Sequence, residues 1–143
     1  MLPRGLEISC DPGRIDVPLV HEFLRLSYWA EGRSLETVQR SIVNSLCFGA
    51  YLDARQIAFA RVITDRAVFA YLADVFVVPE FRGRGVSKAL MQAILSHPDL
   101  QTLRTFALGT RDAHDLYAKF GFEAIREPSR LMAKYGAGDG ESA

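Results

Sequence analysis

The chain has 143 residues, and its 17 Lys and Arg balance 17 Asp and Glu, so it lacks the basic footprint of a general nucleic-acid binder. Apolar residues at 49% and charged residues at 24% match a folded protein rather than a disordered one, and the length reads as one domain over residues 1–143. No apolar run approaches the ~20 residues that cross a bilayer, and two cysteines in no metal-type spacing are expected as thiols of a cytoplasmic protein that holds no metal.

Gly5 to Cys10 reads as a short strand, and Asp11-Pro12-Gly13 as a turn. From Ile15 to Leu26 the apolar residues fit an amphipathic helix. Tyr28 to Arg33 is an irregular link, and Ser34 is placed to cap a helix over Leu35 to Asn44, with Glu36 in its first turn. Leu46 to Leu52 and Ile57 to Thr64 flank a hairpin-length connection. Val68 to Val78 is almost wholly apolar, as in a strand buried on both faces, and only Asp74 interrupts it.

Pro79 ends that strand, because proline cannot donate to a ladder. After the turn Glu80 to Gly85, the apolar positions Val86, Ala89, Leu90, Ala93 and Ile94 mark a helix that His97-Pro98 closes. Leu103 to Leu108 is a further strand. Thr110 is the expected cap of a helix from Arg111 to Phe120, which Gly121 ends. Phe122 to Ile125 and Leu131 to Tyr135 suggest a last hairpin, and residues 136–143 a flexible tail. The order β-α-α-β-β-β-α-β-α-β-β implies an α/β, or layered α+β, domain with a mixed sheet.

Chemistry concentrates where the apolar strand runs through a glycine-rich turn into a helix. The first amides of a helix have no intrahelical partner and carry the positive end of its dipole. Gly83 and Gly85 let a ligand approach the backbone, and Arg82, Arg84 and Lys88 add positive charge. This arrangement suits a phosphate or diphosphate. The stretch matches neither Gly-x-Gly-x-x-Gly nor a Walker A loop, since Lys stands at 88.

Arg82-x-x-Gly85-x-Ser87, preceded by Val77-Val78-Pro79, resembles the acetyl-CoA signature of the GCN5-related N-acetyltransferases, whose pattern is Gln/Arg-x-x-Gly-x-Gly/Ala. Downstream, Ala113-x-x-Leu116-Tyr117-x-x-x-Gly121-Phe122 is similar to a second motif of that family. The likeness spans about residues 5 to 135. It implies the family fold, a mixed, mostly antiparallel central sheet of about six to seven strands flanked by about four helices. It also implies transfer of an acetyl group from acetyl-CoA to a primary amine of a small molecule, peptide or protein, by direct attack in a ternary complex. A non-catalytic acyl-CoA sensor or scaffold is the alternative.

By position, the resemblance assigns the pantetheine arm to Val75, Phe76 and Val77. It assigns the diphosphate to Arg82, Gly83, Arg84, Gly85, Val86, Ser87 and Lys88, and proton donation to the departing thiolate to Tyr117. Ser87 departs from the usual Gly or Ala but keeps its backbone N–H. A homodimer paired through C-terminal strands is a further expectation of the resemblance alone. Several residues carry two readings. Asp74 is a candidate base, or an ion-pair partner of Arg61 or Arg111. Tyr117 is a proton donor, or packs on Phe120 or Phe122. Trp29, with Tyr28, is an aromatic wall for the substrate or a packing residue. His114, three residues before Tyr117, is a substrate contact or a surface histidine. Glu31 and Glu36 are candidates to attract a cationic amine, while His21 and His97 read as structural.

Overall fold

Alternating and continuous apolar runs in the middle of the chain form the strands that hold the molecule together. The structure, a computed structural model, describes residues 1–138. Strand β2 (Leu46–Leu52) buries all its residues but the last, and β3 (Arg55–Thr64) pairs with it antiparallel after a two-residue turn at Asp53 and Ala54. Strand β4 (Phe69–Val77) pairs antiparallel with β3. Strand β1 (Glu7–Ser9) covers the free edge of β2, and β5 (Thr105–Leu108) runs parallel to β4. The sheet order is β1-β2-β3-β4-β5.

Four helices accompany the sheet among the described residues. Helix α1 (Val17–Arg25) starts at Asp16, whose carboxylate accepts from the Leu19 amide at 3.1 Å. Helix α2 (Leu35–Val43) starts at Ser34, the cap the sequence predicts, which accepts from the Thr37 amide at 3.1 Å. Helix α3 (Val86–Leu95) packs against β1 to β4 through Val86, Leu90, Met91 and Ile94. Helix α4 (His114–Ala118) is shorter than expected: the Thr110 hydroxyl accepts from the Ala113 amide at 3.0 Å, closing a turn before the helix begins. Phe23 of α1 stacks on Phe76 of β4 with ring centroids 4.0 Å apart, which seats α1 on the sheet.

The strand count is corrected from six or seven to five among the described residues. Phe122 to Ile125 and Leu131 to Tyr135 form no ladder there. Pro128–Arg130 forms a 3-10 turn instead, and local ion pairs, Arg126 with Glu123 at 2.8 Å and Arg130 with Glu127 at 2.7 Å, occupy the intervening charges. The apolar residues that mimicked strand alternation, Ile125, Leu131, Met132 and Tyr135, stay exposed. Of the tail expected at 136–143, residues 139–143 lie outside the described residues. No helix among the described residues is long and apolar enough to cross a membrane.

Both cysteines are free thiols, Cys10 exposed and Cys47 buried. Burial pushes the Cys47 thiol up to about 12, and the thiolate is the reactive form. An aromatic disulfide reagent at neutral pH is therefore expected to label Cys10 rapidly in the native protein and Cys47 only after denaturation. Equal rates for the two in the native protein would contradict this burial.

Candidate active site

Strand β4 carries one more residue than its partner can match. Phe59 faces Phe76, but Arg61 faces Ala73, so Ala60 spans both Asp74 and Val75. This is a β-bulge, which bends and twists the strand. At its centre Asp74 adopts φ 55, a left-handed conformation that aspartate tolerates better than most residues. On the other side of β4, pairing to β5 stops at Leu72 and Leu108. The edge of Val75–Val77 that faces away from β3 is therefore left without a strand partner, and it lines a cavity of about 1050 Å³.

The glycine-rich turn delivers the cavity's second wall. Pro79–Phe81 forms a 3-10 turn, and Arg55 clamps Glu80 with bonds of 2.5 and 3.2 Å. The Arg82 Nε donates to the Val77 carbonyl at 3.0 Å, fastening the turn to the end of β4. Gly83 and Gly85 have φ of 74 and 82, values that favour glycine. Gly85 is the N-cap of α3 and brings no side-chain acceptor to its first amides. A Cβ at Gly83 would meet nothing within 4 Å, so the space over the turn is open. None of Arg82, Arg84 and Lys88 is ion-paired among the described residues. Uncapped helix amides with cations beside them have the chemistry that suits an anion.

The sequence-predicted residues divide clearly around this cavity. Val75, Phe76, Val77, Arg82, Gly83, Gly85, Val86, Ser87, Lys88, Tyr117 and Trp29 all line it. Arg84 borders an adjoining hollow of about 440 Å³ that shares Gly83, Gly85 and Lys88. His114 is exposed at the first position of α4 and is not part of the lining. Glu31 and Glu36 are also outside it, and Glu36 lies 4.0 Å from Arg40. Phe81, Asp112 and Leu116 line the cavity without having been singled out. Leu116 stood inside the second motif and Phe81 directly before the first, whereas no sequence signal marked Asp112.

Tyr117 reaches the cavity from α4 and is 9% exposed. Its ring meets Phe122 edge-on at 6.0 Å, so the packing reading and the lining position hold together. Burial, and secondarily the Tyr28 phenol, push its pKa above the ordinary tyrosine value. The side chain is thus a neutral hydroxyl, able to donate a proton.

Asp74 is buried and paired on both carboxylate oxygens. Its side chain is 2% exposed, and Oδ2 accepts from Arg61 Nε at 2.8 Å and from Arg33 at 2.9 Å. Oδ1 accepts from the Trp29 indole N–H at 2.9 Å. Asp74 is not among the residues lining the cavity. Of the two arginines weighed as partners, Arg61 is present. Arg111 instead lies over the Tyr28 ring, 3.7 Å from its centroid. Arg33 joins from 41 positions away in sequence, a pairing that no local pattern reveals.

Known proteins resemble this arrangement. A family model described as an acetyltransferase (GNAT) domain matches residues 43–124. The crystal structure of a GNAT-family protein from Xanthomonas campestris pv. campestris is 51% identical and superposes with a TM-score of 0.94, covering 99% of this chain and 100% of its own. A Gibberella zeae protein named among the acetyltransferases is 26% identical over 144 aligned residues, 84% of this chain and 80% of its own. A GNAT family acetyltransferase from Elizabethkingia anophelis, solved with acetyl-CoA bound, shares the fold with a TM-score of 0.66 at 14% identity, covering 86% of this chain and 79% of its own.

Removing one partner of a buried ion pair strands the other charges. Asp74→Ala would leave Arg33 and Arg61 without their shared carboxylate, and is expected to cost about 3–5 kcal/mol of folding stability. Urea denaturation measures this. A loss below about 1 kcal/mol would place the pair among surface contacts instead.

Proposed function

Because the chain belongs to the GCN5-related N-acetyltransferase (GNAT) family, we propose that it transfers the acetyl group of acetyl-CoA to a primary amine within this cavity. The observation that carries the reading is the meeting of three features in one cavity: an unpaired strand edge, an uncapped helix N-terminus and a protonated phenol. Acetyl-CoA carries an extended amide-bearing arm, a diphosphate and a thioester. Val75–Val77 offer the arm alternating backbone donors and acceptors, as an added strand would take. The amides from Gly83 to Lys88 hold the diphosphate with Arg82, Arg84 and Lys88, and the hollow beside Arg84 extends the cradle toward the nucleotide end. The open space over Gly83 and the missing cap on Gly85 fit such a guest.

The chemistry asks little beyond position and proton control. The amine's lone pair attacks the thioester carbon, the new C–N bond forms and the C–S bond breaks. Tyr117 gives its hydroxyl proton to the departing sulfur and recovers one from solvent as the attacking nitrogen sheds its own. A main-chain amide near Val77 is the donor for the oxygen that gains charge. Holding both reactants in one cavity supplies the proximity contribution.

Tyr117→Phe keeps the ring on Phe122 and removes only the proton. It is expected to lower kcat by about 10²-fold or more while leaving acetyl-CoA affinity unchanged. The pH dependence follows from two opposite requirements. The amine reacts only when deprotonated, so the rate rises with pH; Tyr117 reacts only when protonated, so the rate falls once pH passes its elevated pKa. The falling limb is expected above the ordinary tyrosine value of about 10 and absent in Tyr117→Phe. A variant with unchanged kcat would remove Tyr117 from the reaction, whereas acetyl-CoA binding without turnover in the unaltered protein would favour a binding role for the domain.

A further inference from the structure

The cavity has two unlike halves. One is the cradle just described. The other is walled by Phe23 and Leu26 of α1 and its end, by Tyr28 and Trp29 of the link that follows, and by Leu116. Leu26, Tyr28 and Trp29 are 69%, 53% and 40% exposed. Adjacent large apolar side chains left this open mark a binding surface more often than a packing accident.

The wall is also held firmly, which separates it from a mobile loop. The Ser27 hydroxyl donates to the Leu24 carbonyl at 2.6 Å and accepts from the Ala30 amide at 3.1 Å. The Gly32 amide returns to the Arg25 carbonyl at 3.0 Å. The Trp29 indole is fixed by its bond to Asp74, and Arg33 closes the link onto the same carboxylate. Tyr28 stands edge-on to Trp29 at 5.1 Å, and Arg111 stacks over the Tyr28 ring. Tyr28, Trp29 and Tyr117 line the same cavity, so the wall and the proposed proton donor share one space.

Charge narrows what this half can receive. Asp112 is the one carboxylate among the residues lining the cavity. Arg111, its neighbour in sequence, stacks on Tyr28 with its guanidinium carbon 3.7 Å from the ring centroid, so a cation already stands at this wall. One carboxylate suits one cation, and flat rings suit a flat apolar body. A polycationic acceptor would meet the Arg111 cation beside a single carboxylate and have no use for the rings.

We propose that this half of the cavity receives the acceptor as a primary amine on an aromatic or similarly flat apolar body, and that Asp74 is a positioning residue that holds Trp29 as its wall. The inference rests on the acetyl-transfer reading above and adds the acceptor class. Asp74 acts through Trp29 and touches neither reactant.

The test measures thiol release from acetyl-CoA with phenethylamine and tryptamine against spermidine, an aminoglycoside and a lysine peptide. Acetyl-CoA binding is followed separately by calorimetry. The ring-bearing amines are expected to have kcat/KM at least ~10-fold above the others. Trp29→Ala is expected to raise KM for them by ~10- to 100-fold with acetyl-CoA affinity unchanged. Asp74→Asn should raise that KM while kcat and the rising limb of the pH profile persist. If Asp74→Asn does not fold, Trp29→Phe, which keeps a ring and loses the N–H, gives the same readout. Equal or better turnover of spermidine, or an unchanged KM in Trp29→Ala, would overturn the acceptor class while leaving acetyl transfer intact. Loss of kcat and of the rising limb in a folded Asp74→Asn would make Asp74 the base and overturn its positioning role. Silence with every amine, with acetyl-CoA still bound, would overturn the acetyl-transfer reading together with this one.

Discussion

One inserted residue in β4 governs the rest of the site. Without the bulge at Asp74, β4 would continue in regular register with β3. With it, β4 bends, β5 departs after Leu108, and Val75–Val77 face open space. The same bend brings the end of β4 to the turn that opens α3, where Arg82 ties the two together. The cavity is thus a gap in a sheet, walled on one side by backbone and closed at its end by helix amides.

Holding that bulge has a cost that the structure offsets locally. A non-glycine residue in the left-handed region costs about 1–3 kcal/mol, and a lone buried carboxylate costs several more. Three donors answer the second cost: Arg33, Arg61 and the Trp29 indole. They come from the link after α1, from β3 and again from that link, so the device that stabilises the bulge also fastens the aromatic wall to it. Replacing such a cluster with well-packed apolar groups often stabilises a protein. Here an apolar residue would have nothing with which to hold Trp29 or Arg33.

Much of this was legible from residue order. Strand β2 and the starts of α2 and α3 fall where periodicity and capping residues put them, because those signals are local. The cradle was legible for the same reason: turn glycines, cations and helix start are contiguous in sequence. The bulge was not. Leu72, Asp74 and Phe76 are all buried, just as simple alternation predicts, so the pattern hides the extra residue, and only the pairing with β3 exposes it. The partners of Asp74 lie 13, 41 and 45 positions away. The sequence named Arg61 as one possible partner, beside Arg111, but gave no sign of Arg33. At the C-terminal end, Leu131 to Tyr135 showed the composition of a strand while Pro128 and the flanking charges favoured a turn and local pairs. Composition without a neighbouring edge does not make a ladder.

The most direct test of the central idea, that a gap beside the bulge joins an amide cradle into one coenzyme site, is an amide-resolved NMR titration with acetyl-CoA. The backbone amides of Val75–Val77 and of Gly83–Lys88 are expected to shift together, along one saturating curve, while those of β1 and β2 stay still. Shifts confined to exposed arginine-bearing surfaces, with both stretches unmoved at saturation, would contradict it.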